Sequence, residues 1–198
     1  LNRKLLRDFV ATRGQALAIA LVIACGLATF VMSLATMEAL MRSRETYYDR
    51  YRFADVFTTL KRAPKTLLPR IEAIPGVAKA QTGIVAHVNL SVHDFPEPIV
   101  GQLVSIPERR VPILNDLHLR AGRWIERDRG EAIVSESFAE GQNLRLGDTI
   151  SAILNGKYQE LRLVGIAISP EYIYQVQPGA LFPDKKRFGI LWMGYEEL

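Results

Sequence analysis

The sequence predicts an α+β chain, with one membrane-crossing helix followed by a mixed domain outside the bilayer. Three observations carry this. Gly14 to Met37 contains no Asp, Glu, Lys or Arg. From Ala54 onward the apolar residues switch to short runs, many of them alternating in the two-residue period of a half-buried strand. Asn155-Gly156 separates two such runs, a strong signal for a two-residue hairpin turn.

Residues 1–13 (LNRKLLRDFVATR) are amphipathic. Leu5, Leu6, Phe9 and Val10 share one helical face and Arg3, Lys4, Arg7 and Asp8 the other. This pattern suits a helix lying on the membrane surface with its bases near anionic lipid. Residues 14–37 are the spanning segment. At about 1.5 Å rise per residue they make roughly 36 Å of helix, enough to cross about 30 Å of hydrocarbon. A signal peptide would have a shorter apolar core and a small-residue cleavage site, and Ala35-Thr36-Met37 is a poor match. A buried core helix seldom lacks charge on every face for this length.

Ala16, Ala20, Ala24 and Ala28 recur every four residues, a small-residue strip on which another helix could pack closely. Lys and Arg flank the span equally on both sides, so local charge leaves its orientation open. Residues 38–53 keep a helical pattern through Leu40, Met41, Tyr48 and Tyr51 and are read as a stalk extending the span.

Residues 54–198 form the outer domain. Ala54–Leu60 is expected to be a strand. Leu67–Ile74 is expected to be a short helix with Leu67, Leu68, Ile71 and Ile74 inward, ended by Pro75-Gly76. Val77–Val92 reads as a long strand with Ile84, Ala86, Val88, Leu90 and Val92 on its apolar face. Residues 94–98 turn the chain, and Ile99–Ile106 returns as a strand. Glu131–Val134 is a short strand, with Ser135 capping a helix over Glu136–Gly141. Thr149–Leu154 and Tyr158–Ile168 flank the Asn-Gly turn, and Val176–Phe188 reads as a loop.

The net charge is +4, and residues 1–14 contribute +3 of it. The basicity therefore sits before the span and is not a nucleic-acid surface. The single cysteine, Cys25, lies within the span, so the outer domain has no thiol chemistry. No phosphate-binding G-x-x-x-x-G-K-[ST] loop, G-x-S-x-G, H-E-x-x-H or C-x-x-C occurs. His87 and His93 stand about 20 Å apart along one strand, too far to share a metal. Ser135, Glu136, Ser137 and His118 carry no triad spacing. Tyr172, Tyr174, Phe182, Phe188 and Trp192 could line a groove, although core and loop packing accounts for them better. No catalytic, cofactor-binding or metal-ligating residue is assigned.

The run GR-W-x6-EAIVSESFA-x4-L-x-LGDTI-x4-NG-x4-LRLVGIAISPEY, preceded by LNRKLLRDF, ADVF, IPGV and AHVNLSV, resembles the ABC-transporter permeases of the MacB/FtsX/LolC-E type. These carry a MacB-like periplasmic core domain after their first membrane helix. The match rests on Gly122-Arg123, Glu131, Val134-Ser135-Glu136, Phe138-Ala139, Leu144, Gly147-Asp148, Asn155-Gly156 and Val164-Gly165.

The resemblance implies a bacterial plasma-membrane protein with a cytoplasmic N-terminus and a periplasmic or extracellular main domain. It implies a β-rich subdomain at about 120–169. The chain starts at Leu1, and further spans are expected downstream of it, making it the N-terminal fragment of a longer permease. ATP and Mg would be used by a partner ABC ATPase, not bound here. Other implied partners are a second permease copy or homologous half, membrane lipid and a periplasmic accessory protein. The alternative reading is a single-span anchored binding or scaffold module.

Overall fold

The computed structural model describes residues 12–198 apart from 94, 128 and 155. The amphipathic helix expected over 1–13 therefore lies almost wholly outside the described residues, as do Asp94 of the expected turn and Asn155 of the hairpin. The chain divides into two compact units, Leu1–Tyr47 and Tyr48–Leu198.

The first unit is built on helix α1, Arg13–Arg50, 38 residues without a break and without a buried residue. It is long and apolar enough to cross a membrane. Its large side chains stand open: Leu21 is 57% exposed, Val22 73% and Phe30 62%. Two hydroxyls of the charge-free stretch are satisfied within the helix. Thr29 Oγ1 donates to Cys25 O at 2.8 Å, and Ser33 Oγ donates to Thr29 O at 2.9 Å. Such back-bonding hides polar groups from an apolar solvent. The first intrahelical ion pair, Glu38–Arg42 at 2.5 Å, comes one residue after the charge-free run ends. Ala20, Ala24 and Ala28 are exposed and Ala16 partly so.

The second unit is a sheet of seven strands among the described residues, in the order β3-β6-β4-β7-β2-β1-β5. The strands are β1 Val85–Val92, β2 Phe95–Ile106, β3 His118–Gly122, β4 Glu131–Ser135, β5 Thr149–Leu154, β6 Lys157–Ile168 and β7 Phe188–Gly194. Strand β5 pairs antiparallel with both β1 and β6, so six of the seven strands close into a ring. β3 continues along the edge of β6 beyond the reach of β5, pairing with Gly165–Ile168 while β5 pairs with Lys157–Arg162. Two short helices complete the unit, α2 Leu68–Glu72 and α3 Glu136–Gln142.

Alternation along the strands builds the interior. Val88, Leu90 and Val92 of β1 meet Ile99 and Leu103 of β2, Ile150, Ala152 and Leu154 of β5, and Leu191 and Met193 of β7. Phe138 and Ala139 of α3 join the same cluster. The second cluster lies on the other side of β7. There Ile190 and Trp192 pack with Ile113, Leu117 and Ile125 from the segment between β2 and β4. β7 is thus covered on both sides, and all seven of its residues are buried.

Several expectations are corrected. Ala54–Leu60 is not a strand: among the described residues no strand pairs with it, and Val56 stays 83% exposed. The long strand expected from Val77 begins only at Val85, although its alternation holds from Val88 onward. Helix α2 follows a 3-10 turn at Lys65–Leu67, and its expected inward residues Ile71 and Ile74 are exposed. The return strand starts at Phe95, not Ile99, because Val92 pairs with Phe95 across a tight turn.

Strands β3 and β7 were not anticipated. A strand buried on both faces shows no alternation, so Phe188–Met193 reads as a plain apolar run. The strands of the expected 120–169 subdomain belong to the same sheet as β1, β2 and β7. The hairpin of β5 and β6 forms as expected, with Leu154 opposite Lys157 and Gly156 at φ +77°.

Candidate functional site

The residues that end α1 show how the chain passes from helix to sheet. Arg52 N–H donates to Asp49 O at 3.3 Å, and Phe53 N–H donates to Tyr48 O at 2.9 Å. These are the two bonds of a Schellman cap, and its left-handed position is occupied by Arg52 at φ +52°. The apolar contact that accompanies such caps is present too. The Tyr48 and Phe53 rings stack at 4.4 Å, and Phe57 follows at 5.5 Å.

A second loop grips this cap. Asn115, itself left-handed at φ +51°, donates its N–H to Arg52 O at 2.9 Å, and Asp116 N–H donates to Tyr51 O at 2.8 Å. The Asn115 side chain works in both directions. Its Oδ1 accepts from Ala54 N at 2.9 Å, and its Nδ2 donates to Glu171 Oε2 at 2.9 Å. The Tyr51 hydroxyl lies 2.5 Å from His118 Nδ1 at the start of β3. Tyr51, Arg52 and Ala54, three of the four residues after the helix, are thereby tied to the segment that leads into the sheet.

Beside this clasp is an open cleft of about 520 Å³. Arg50, Tyr51, Arg52, Arg110, Asp116 and His118 supply its polar lining, over an apolar floor that includes Val111, Leu117 and Leu119. Arg110 is committed: it pairs with the buried Asp116 carboxylate and stacks over Trp124 at 4.3 Å. Another recess, of about 490 Å³, is lined by Glu108, Glu126, Arg109 and Arg127, with acids and bases in balance.

The motif residues behind the family resemblance prove to be architectural. Arg123 grips Glu131 through both terminal nitrogens, at 2.8 and 2.5 Å, and Glu131 also accepts from Glu126 N at 2.9 Å. The Glu131 side chain is only 2% exposed. The Arg123 guanidinium, aided by that backbone bond against the cost of burial, holds the Glu131 carboxyl below the usual carboxylate range. Gly122, at φ +82°, approaches Val164 O so closely that a Cβ would sit 2.2 Å from it. Asp148 Oδ2 accepts from Arg145 N at 2.7 Å, while Leu163 N–H donates to Asp148 O and Gly147 N–H donates to Leu163 O, both at 2.8 Å, fixing the turn into β5. Val134, Phe138 and Ala139 are core.

The weaker chemical constellations come apart. Ser135 Oγ does not cap α3. It and Ser137 Oγ both donate to Gln175 Oε1, at 3.0 and 2.8 Å. Glu136 pairs with Arg120 at 2.9 Å, and His118 with Tyr51. No triad is assembled. Phe188 and Trp192 are core, while Tyr174 and Phe182 are exposed, so the aromatics do not share a groove. Burial, then the neighbouring Glu171 charge, pushes the Tyr172 phenol above its usual range. Among the described residues no group of His, Cys, Asp and Glu could hold a metal. The cleft itself escaped the sequence reading. Arg50 and Arg52 counted only as flanking charges, and nothing local signals that a loop more than fifty residues away closes over them.

No family model matches this sequence, and no curated protein matches it. Among solved structures, the chain is similar to the extracellular domain of the noncanonic ABC-type transporter YknZ from Gram-positive bacteria. It is 15% identical at a TM-score of 0.43, covering 68% of this chain and 63% of that one. It is similar also to the periplasmic region of MacB from Actinobacillus actinomycetemcomitans. There it is 16% identical at a TM-score of 0.40, covering 69% of this chain and 56% of that one. The chain therefore spans less than two thirds of the length of each.

Proposed function

We propose that the chain is part of the permease of an ABC transport system, passing motion between a partner ATPase and a domain outside the membrane. The observation that carries this reading is the unbroken helix Arg13–Arg50, ending in a cap whose next residues are hydrogen-bonded into the sheet unit. A passive anchor needs only the span. A helix that runs some 13 residues beyond Met37 and ends in a gripped cap is suited to transmit force. The ordered motif from Gly122 to Gly165 supports the same family reading.

On this reading the N-terminus is cytoplasmic and the sheet unit is periplasmic or extracellular. The permease works as a pair of copies or homologous halves, and the strip Ala16, Ala20, Ala24 and Ala28 is where another helix packs. ATP and Mg are bound by the ATPase alone.

The test uses the full-length protein co-expressed with its ATPase and reconstituted in nanodiscs. Spin labels at Tyr158, 78% exposed on the hairpin, report the distance between two copies. ATP is expected to shift that distance. Arg44→Pro, which breaks the stalk helix at a cost of about 3 kcal/mol, is expected to abolish the shift without dissolving the complex. An unchanged distance on adding ATP, or failure of any ABC ATPase to co-purify, would leave the anchored scaffold as the better account.

A further inference from the structure

We propose that the cleft beside the helix cap is a binding site for a phosphate monoester dianion, held by Arg50 and Arg52. The argument begins with charge. The lining holds three guanidiniums and one carboxylate, and Arg110 and Asp116 neutralise each other. The Arg50 and Arg52 side chains make no hydrogen bond or ion pair with any described residue. Two unmatched cations on one cleft of about 520 Å³ suit a ligand of about −2 charge, which a phosphate monoester carries above its second pKa of about 6. The apolar floor of Val111, Leu117 and Leu119 suits an ester with an apolar body.

The second observation is backbone conformation. Arg52 occupies the left-handed position of a Schellman cap, at φ +52°. Glycine is the usual residue there, because a Cβ is strained in that region. An arginine in that position, with its side chain unpaired among the described residues and lining a cleft, points to a use for the guanidinium. The mixed-charge recess at Glu108 and Arg127 offers no such excess of cations.

The phosphate could belong to a soluble ester or to a lipid headgroup. Arg50 lies 13 residues past Met37, about 20 Å along the helix axis, whereas the headgroup layer is only about 5–8 Å deep. The soluble source is favoured. This inference needs no ATPase and stands apart from the transport reading.

The experiment is isothermal titration calorimetry of the full chain in neutral detergent at pH 7.5, with phenyl phosphate as the probe and phenol and benzoate as controls. Saturable binding of phenyl phosphate near or below about 1 mM is expected, with phenol silent and benzoate weaker. Arg52→Gly should weaken binding at least about tenfold while leaving the thermal midpoint unchanged or higher, and Arg50→Gln should weaken it similarly.

Two nanodisc arms assign the source. If phosphatidic acid in place of phosphatidylcholine competes with phenyl phosphate, the ligand is a lipid phosphate; if it does not, the ligand is soluble. Either outcome upholds the site. Absence of saturable phenyl phosphate binding, or affinity within twofold of wild type in Arg52→Gly, overturns it. So does a lower thermal midpoint in Arg52→Gly, since Arg52 would then serve the backbone.

Discussion

Helix α1 and strand β7 are both apolar, yet they stand in opposite surroundings. Every residue of β7 is buried, between the ring interior and the loops that cover its outer face. No residue of α1 is buried. In β7 the hydrophobic surface is matched by the protein's own side chains, so its energetics belong to folding. In the charge-free stretch of α1 the same surface is matched by nothing among the described residues. On the transport reading that surface is matched by lipid or by other helices, and its energetics belong to insertion and assembly. Similar composition therefore marks a structural keystone in one place and, on the transport reading, a membrane interface in the other.

This contrast can be broken by substitution, and the largest effect is expected in β7. Trp192→Ala should destabilise the sheet unit by about 3–5 kcal/mol, because a fully buried ring leaves a cavity between Ile113, Leu117 and Tyr172. Denaturant unfolding of the full chain in detergent measures it. The matching change in the span, Phe30→Ala, should move that same transition by less than about 0.5 kcal/mol. Equal losses would erase the distinction.

Next in size is Gly122→Ala. A methyl there meets Val164 O and must also adopt φ +82°, so a loss of about 2–3 kcal/mol is expected. A wild-type midpoint would show that the β3–β6 edge can shift to accept it.

A smaller effect is carried by Glu131. Its folded pKa lies below the unfolded value of 4.5, so its ion pair stabilises the sheet unit above about pH 4.5. That stability is lost as pH falls through the depressed folded value. Glu131→Gln should cost about 1–3 kcal/mol at neutral pH and flatten the stability–pH curve below pH 4.5. A curve unchanged in slope would assign the acid sensitivity to other carboxylates.

The smallest effect on folding, with the largest on assembly, belongs to Ala24→Arg. It should leave unfolding of the sheet unit unchanged while abolishing co-purification with a permease partner. Survival of the complex would remove the alanine strip as a packing surface.

Much of the fold was legible because its signals are local. The charge-free run marked α1, and the Asn-Gly turn with its flanking alternation marked β5 and β6. Val88, Leu90 and Val92 announced the inner face of β1. The failures share one cause. Ala54–Leu60 has strand-like residues but no partner edge, while β7 lacks a period because both its faces are buried. The Val77–Ile84 stretch continues an apolar pattern without finding a ladder. Pairing is a property of two segments, and one segment cannot report it. The cleft was hidden for the same reason. Arg50 and Arg52 are near in sequence, but Arg110, Asp116 and His118 reach them only through the clasp at Asn115.

By itself, the sequence determined that the chain has a membrane-length helix, that a β-rich domain follows, and that no common catalytic motif is present. Charge, periodicity and turn chemistry are written residue by residue, so they survive without a structure. Only the tertiary structure decided that six strands close into one ring, that β7 is buried on both faces, and that two arginines without a partner among the described residues line a cleft at the helix cap. Those facts depend on which distant segments meet. That choice is made by the burial and hydrogen bonding of the whole chain together, not by any stretch of it alone.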